Sequence, residues 1–236
     1  MNNIKNVLSI DMDILSWECI ELYNDRVGLT GKRFKEFWDE LESLIHINKF
    51  LVKDEKLLKS LKSLILKKAK DIDVCNISFI KDHDMLLNRL CQSKDNTSDR
   101  FNIYNVDHHH DIYYGDDLRD EAYRFDFATL GNWVYYLGIN DKIEKYYWIK
   151  DRYSKPFPKV ESIDLPFPFD ESLKLDDLEA IKFDYLFISL SPDFFPYKFW
   201  DEYFEIKKEV EKLKGVTFKF VEESYAIDGK TRHVLR

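Results

Sequence analysis

The chain has 236 residues, of which 44% are hydrophobic and 34% charged, proportions typical of a globular protein with a substantial core. Its net charge of −8 makes nucleic acid an unfavourable partner, because a phosphate backbone attracts basic surfaces. No apolar run approaches the roughly 20 residues that span a bilayer, and the N-terminus lacks signal-peptide features, so we expect no membrane partner. The three cysteines, Cys19, Cys75 and Cys91, are few and unpatterned, which favours a reduced, cytoplasmic protein.

The first half of the chain alternates strand-like and helix-like segments. Residues 7–15 (VLSIDMDIL) predict a buried strand with two aspartates towards its carboxyl end. Residues 32–70 have apolar side chains at helical intervals and predict one or two amphipathic helices. A second strand is predicted over residues 74–80, followed by a helix that Asp82 caps, and a third over residues 101–106.

Four segments of the second half are also predicted as strands: residues 133–139, 145–150, 183–191 and 216–224. The proline-rich residues 154–172 predict an ordered surface loop, and residues 201–214 predict a helix that Gly215 ends. Strands that alternate with helices favour a mainly parallel sheet flanked by helices. With no repeat or boundary signal, we expect one α/β domain over residues 1–236.

Potential metal ligands follow several predicted strands, and the carboxyl ends of parallel strands line the usual ligand crevice. These ligands are Asp11, Asp13, His83, Asp107, His109, Asp111, Asp193, Glu222 and Glu223. Residues two apart in an extended segment point the same way, so Asp107, His109 and Asp111 are expected to converge while His108 and His110 face elsewhere. Imidazole with carboxylates suits Mn, Fe or Zn, and carboxylates from separate strands can bridge two cations.

Two other interpretations of these residues stay open at this point. The histidine-rich residues 107–111 also fit a solvated polar loop. Asp11 and Asp13 also resemble the aspartate pair of haloacid-dehalogenase-type phosphotransferases, although Ile14 and Leu15 depart from that pattern.

Aromatic residues make up 16% of the chain, a high share. A heavily packed core is favoured as the explanation over an aromatic groove for an extended ligand.

The order of the motifs resembles that of the arginase-type ureohydrolases. NISFIKDHDML is similar to their strand and GGDHS element, with His83 at the metal-ligand histidine. NVDHHHDI resembles their DAHxD element, which implies that Asp107, His109 and Asp111 are metal ligands. LFISLSPDFFP resembles SFDxDxxDP, but Ser191 replaces the first aspartate of this element.

Other parts of the family pattern are changed or shifted. Asp193 is retained, and SIDMDIL resembles the SFDxD strand, so Asp11 and Asp13 are the expected substitutes for the missing ligand. TFKFVEES resembles the closing strand whose glutamate holds the substrate guanidinium. In LGNWV, which resembles SGNLH, Val134 stands where the family has a proton-shuttling histidine. The loop that recognises free arginine is replaced by DIYYGDDLRDEAYRFDFATL.

The chain most resembles the peptide arginases, which convert arginine side chains of a peptide to ornithine and urea. The resemblance implies a three-layer, arginase-like fold and two Mn²⁺ ions held by Asp11, Asp13, His83, Asp107, His109, Asp111 and Asp193. It implies catalytic roles for Asp111, which carries a proton to the leaving amine, and for Glu222 or Glu223, which orients the guanidinium. The substrate is then a peptide that contains arginine. A metal-dependent phosphoester or amide hydrolase and a metal-stabilised peptide-binding module are the alternatives.

Overall fold

The computed structural model describes residues 3–15, 54–92, 99–112, 131–152, 154, 157, 165–192 and 194–221. Seven strands in these residues form one sheet: β1 (Ile4–Asp11), β2 (Ile77–Ile80), β3 (Arg100–Val106), β4 (Ile143–Ile149), β5 (Phe169–Asp170), β6 (Tyr185–Ser189) and β7 (Phe220–Val221). Their order is β5-β4-β3-β1-β6-β2-β7, and every neighbouring pair is parallel. The prediction of a parallel α/β sheet is confirmed.

The described residues also form four α-helices: α1 (Glu55–Asp71), α2 (Leu86–Gln92), α3 (Trp133–Ile139) and α4 (Trp200–Lys214). Helix α1 begins at Asp54, whose carboxylate accepts a 2.9 Å hydrogen bond from the main-chain N–H of Leu57. Helix α4 ends at Gly215, which has a φ of 66°, in the left-handed region that favours glycine. The predicted end of this helix is therefore confirmed.

Side chains of the central strands alternate between two hydrophobic clusters. In β1, Leu8 and Ile10 belong to the cluster that contains apolar residues of α1 and α4. Val7 belongs to the cluster that contains those of α2 and α3. Because successive residues of a strand point to opposite faces, helices cover both faces of the sheet in a three-layer arrangement. Ser9 and Asp11, two and four residues after Val7, lie on the same face of β1 as Val7.

The register of the sheet brings several carboxyl ends to one place. Ile10 of β1 pairs with Val106 of β3, and Asp11 pairs with Ser189 of β6. Ser189 also pairs with Ile80, the last residue of β2. The polar residues that follow β2, β3 and β6 therefore leave the sheet beside the end of β1.

The prediction of a strand over residues 133–139 is wrong, because these residues form α3. Their aromatic and β-branched composition favours a strand. However, the buried residues of the segment are Trp133, Val134, Leu137 and Gly138, which recur at the spacing of one helix face. The burial of this face favours the helix over the strand that the residues prefer locally.

The bounds of several other elements differ between the structure and the prediction. The first strand ends at Asp11, and residues 12–15 form a 3₁₀ turn. Of residues 216–224, the described part contains only the short strand β7. Asp82 precedes a 3₁₀ turn, with no capping hydrogen bond from its side chain, and α2 begins only at Leu86. Residues 32–53 lie outside the described residues, as do residues 155, 156 and 158–164 of the predicted loop 154–172.

Among the described residues, no helix is both long and apolar enough to cross a membrane. The cytoplasmic location and the single domain over residues 1–236 stay predictions.

Candidate metal centre

One histidine and three aspartates converge at the carboxyl edge of the sheet. His83 lies in the turn after β2, and its Nδ1 atom is 2.9 Å from Asp107 Oδ2 and 3.1 Å from Asp111 Oδ2. The same nitrogen is 3.2 Å from Asp11 Oδ2, at the end of β1. All four side chains are buried. Residues from three strand ends therefore face a common point.

A second group adjoins the first. His109 Nδ1 lies 2.9 Å from Asp13 Oδ2 and 4.0 Å from Asp107 Oδ1. The potential ligand atoms of Asp13, Asp107 and His109 all lie within 4.8 Å of one another, as do those of Asp11, His83 and Asp107. Asp107 belongs to both groups, with Oδ2 towards His83 and Oδ1 towards His109. The two groups of potential ligands therefore share the Asp107 carboxylate.

A turn, and not an extended segment, produces the convergence after β3. The strand ends at Val106, and Asp107 Oδ1 accepts a 2.8 Å hydrogen bond from the main-chain N–H of His109. Asp111 has a φ of 50°, in the left-handed region. Asp107, His109 and Asp111 were expected to converge through strand alternation. Asp107 and Asp111 meet at His83, whereas His109 faces Asp13 and Asp107 Oδ1, and a turn rather than strand alternation produces this arrangement.

The two flanking histidines contact other groups. His108 Nδ1 lies 2.7 Å from Asp151 Oδ2, just after β4. His110 Nδ1 accepts a 3.2 Å hydrogen bond from the main-chain N–H of Ile112. Of the three consecutive histidines, only His109 thus joins the groups of potential ligands in the described structure.

Buried polar side chains that are not ligands orient the carboxylates and the imidazole. Ser9 Oγ lies 2.5 Å from His83 Nε2, so the opposite ring nitrogen faces the aspartates. Ser191 donates a hydrogen bond to Asp11 Oδ2. The Trp133 indole N–H donates a 2.6 Å hydrogen bond to Asp111 Oδ2. These three contacts were not predicted from the sequence.

Aromatic residues of β4 hold the main chain of the turn. Tyr146 donates its hydroxyl to the carbonyl oxygen of His110 at 2.8 Å, and the Trp148 indole N–H donates to that of Asp107 at 3.0 Å. Asn105 donates from its side chain to Asp107 Oδ2 and to the Tyr146 hydroxyl, at 3.1 and 3.0 Å. Tyr146 and Trp148 are buried, so these aromatic rings belong to the core and their polar ends support the centre.

The electrostatics of the centre favour bound protons or cations. Burial and the charge of a neighbouring carboxylate raise the pKa values of Asp11, Asp13 and Asp111. Burial acts on Asp107 in the same direction, but contact with His83 outweighs it and lowers the pKa of Asp107 below its usual range. Burial lowers the pKa of His83, but contact with the aspartates outweighs it and raises this pKa well above its usual range. Cation binding must therefore displace protons from the centre.

The chemistry of the residues present fits divalent cations. The buried Nδ1 atom of His83 has no hydrogen-bond partner of good geometry in the described structure, although three carboxylate oxygens lie within 3.2 Å of it. Burial lowers the pKa of His109 to about 4, so its imidazole is neutral at pH 7, as a metal ligand must be. Four ionised aspartates would bring four negative charges into a buried site, and two divalent cations would balance them.

A cavity of about 20 Å³ lies at the centre, with Asp11, Asp13, Asp82 and Asp111 in its wall. Burial raises the pKa of Asp82 to about 6. Of the residues that the structure describes, no lysine or arginine lines this cavity. The remaining predicted site residues, Asp193, Glu222 and Glu223, lie outside the described residues.

Comparison with known proteins finds no matching family model, no matching curated protein and no matching solved structure.

Proposed function

We propose that the chain is a hydrolase with two divalent cations that cleaves the guanidinium group of arginine side chains in a peptide, giving ornithine and urea. The observation that carries this proposal is the position of Asp107 in two adjacent groups of potential ligands, all of them buried except the half-buried His109. Asp11, His83 and Asp107 would hold one cation, with the Asp111 carboxylate beside His83 as a further ligand. Asp13, Asp107 and His109 would hold the other. Imidazole and carboxylate donors without a nearby thiolate suit Mn²⁺.

The reaction class follows from the chemistry of this ligand set. When bound at such a site, divalent cations supply hydroxide at neutral pH by lowering the pKa of water to roughly 7. Of the described residues, no lysine or arginine lines the cavity to bind the oxygens of a phosphate ester, which favours a guanidinium substrate over a phosphate ester. Asp111, beside His83, is assigned the transfer of a proton to the leaving amine.

The substrate assignment rests on the motif resemblance described above. A glutamate carboxylate pairs with a guanidinium through two parallel, charge-assisted hydrogen bonds. Glu222 and Glu223 follow β7 directly in the sequence, and we assign this pairing to one of them. Because the family's loop for free arginine is replaced in this chain, the proposed substrate is peptidyl arginine.

Urea release from Mn²⁺-loaded protein tests the proposal. We expect urea and an ornithine mass shift with arginine-containing peptides, and no turnover of free arginine. Asp107→Asn should abolish urea release, because it removes the shared carboxylate. The matched control Asp170→Asn changes an aspartate that pairs with Lys145 outside the centre and should retain activity.

Each other outcome contradicts a defined part of the proposal. Turnover of free arginine would contradict the peptide specificity. Hydrolysis of an amide or a phosphate ester without urea would contradict the reaction class. Binding of Mn²⁺ and peptide without hydrolysis of any of these bonds would identify a metal-stabilised binding module.

A further inference from the structure

Trp133, the first residue of α3, contacts two members of the metal centre. Its indole N–H donates a 2.6 Å hydrogen bond to Asp111 Oδ2. Its ring centroid lies 5.2 Å from that of His83, with 48° between the ring planes. Trp133 is fully buried, so water does not compete for the carboxylate at this position. One side chain thus restrains both a carboxylate and an imidazole of the centre.

The backbone of Asp111 requires support from its surroundings. Its φ of 50° lies in a region that residues other than glycine adopt uncommonly. The main-chain N–H of Val134 donates a 3.2 Å hydrogen bond to the carbonyl oxygen of Asp111. The first two residues of α3 therefore bind the main chain and the side chain of Asp111 together. Such conformations persist only where several contacts determine them.

The atom that Trp133 holds is also the atom that faces the centre. Asp111 Oδ2 accepts the indole hydrogen bond and lies 3.1 Å from His83 Nδ1. Rotation of the carboxylate away from Trp133 would move this oxygen out of the ligand group. We propose that Trp133 is a positioning residue, whose N–H fixes the Asp111 carboxylate and whose ring fixes the His83 imidazole for cation binding. This inference rests on the proposed metal centre and does not depend on the substrate.

The substitution Trp133→Phe tests the inference, because it keeps an aromatic ring and removes the N–H. We expect the Mn²⁺ dissociation constant, measured by calorimetry on the full chain, to rise roughly 10- to 100-fold, as for other residues that orient metal ligands. The matched control is Trp200→Phe, which removes an indole N–H that donates a 2.8 Å hydrogen bond to the main-chain oxygen of Phe195, outside the centre. It should leave Mn²⁺ binding almost unchanged. Equal losses in both variants would indicate a general packing effect and overturn the proposal.

A double-mutant cycle tests whether Trp133 acts through Asp111. In an Asp111→Asn background, Trp133→Phe should weaken Mn²⁺ binding little further, because the amide binds a cation poorly however it is held. A full additional loss would overturn the proposal. If Trp133→Phe does not fold, benzothienylalanine at position 133 keeps the bicyclic shape without the N–H, and the same loss of affinity is expected.

The proposed hydrolysis of peptidyl arginine and the proposed role of Trp133 can be tested separately, because different results contradict them. Weaker Mn²⁺ binding by Trp133→Phe in a protein that releases no urea would support the inference and contradict the reaction. Unchanged Mn²⁺ binding by Trp133→Phe in a protein that does release urea would overturn only the role of Trp133. Wild-type protein that binds no Mn²⁺ would overturn both.

Discussion

Replacing His110 with asparagine should make the protein less sensitive to acid. His110 is buried, and the centroid of its ring lies 5.6 Å from that of Trp148 and 4.9 Å from that of Phe157. Its Nδ1 accepts a hydrogen bond from the N–H of Ile112, which requires an unprotonated nitrogen. The amide oxygen of asparagine is placed to accept the same hydrogen bond but does not titrate. The substitution thus removes a buried group that resists protonation.

The size of the effect follows from the pKa of the imidazole. Burial, with the charge of His109 as a smaller cause, lowers the pKa of His110 from 6.5 to about 3 in the folded protein. At a pH between these two pKa values, the unfolded chain binds a proton at His110 that the folded chain does not bind. The contribution of His110 to the free energy of unfolding is therefore complete above pH 6.5 and is lost as the pH falls towards 3. At about pH 4.5 this residue should lower the free energy of unfolding by about 2.5 kcal/mol relative to neutral pH.

Equilibrium unfolding in urea at about pH 7.5 and pH 4.5, with the metal removed from both proteins, measures this quantity. Any packing loss in His110→Asn is present at both pH values and cancels in the comparison. The wild-type free energy of unfolding should fall by about 2.5 kcal/mol more than that of the variant. Equal decreases in the two proteins would refute the argument that His110 is buried as a neutral imidazole.

Three further substitutions test the centre and its support. Asp107→Asn should abolish binding of both cations, measured as Mn²⁺ retained per chain after gel filtration, whereas retention of one ion would show that the carboxylate is not shared. Ser9→Ala should weaken Mn²⁺ binding roughly 10-fold in calorimetry, since His83 loses the partner of its Nε2 atom, and an unchanged affinity would contradict this role. Gly138→Ala should destabilise the protein by about 1–3 kcal/mol in urea unfolding, because a Cβ would overlap the buried ring of Phe167, and a neutral effect would contradict that packing.

Strands with strong apolar character were predicted well from the sequence. Strand β6 contains the apolar run YLFI, and β1 and β3 are mainly apolar in their central residues, because helices cover both faces of the sheet. Helix α3 was missed, since its aromatic and β-branched residues favour strands and only their burial at helical spacing identifies a helix. The short strand β5 adds only two residues to the sheet and has no pattern that could be recognised.

The potential ligands could be predicted, but the residues that orient them could not. Asp11, Asp107 and His109 stand where predicted strands end, and their donor atoms suit a metal. Ser9 and Asn105 each precede an aspartate by two residues on the same side of a strand, a signal that becomes meaningful only once the aspartates are assigned. The contact between Trp133 and Asp111 spans 22 residues of sequence and depends on the position of α3, which local patterns do not reveal.

The rate of urea release from an arginine-containing peptide, measured as Mn²⁺ is added to metal-free protein, tests the central claim most directly. If Asp107 joins two cations in one hydrolytic centre, the rate should rise to a plateau at two equivalents of Mn²⁺ per chain. A plateau at one equivalent would contradict the binuclear centre. The absence of urea at any Mn²⁺ concentration would contradict the proposed reaction.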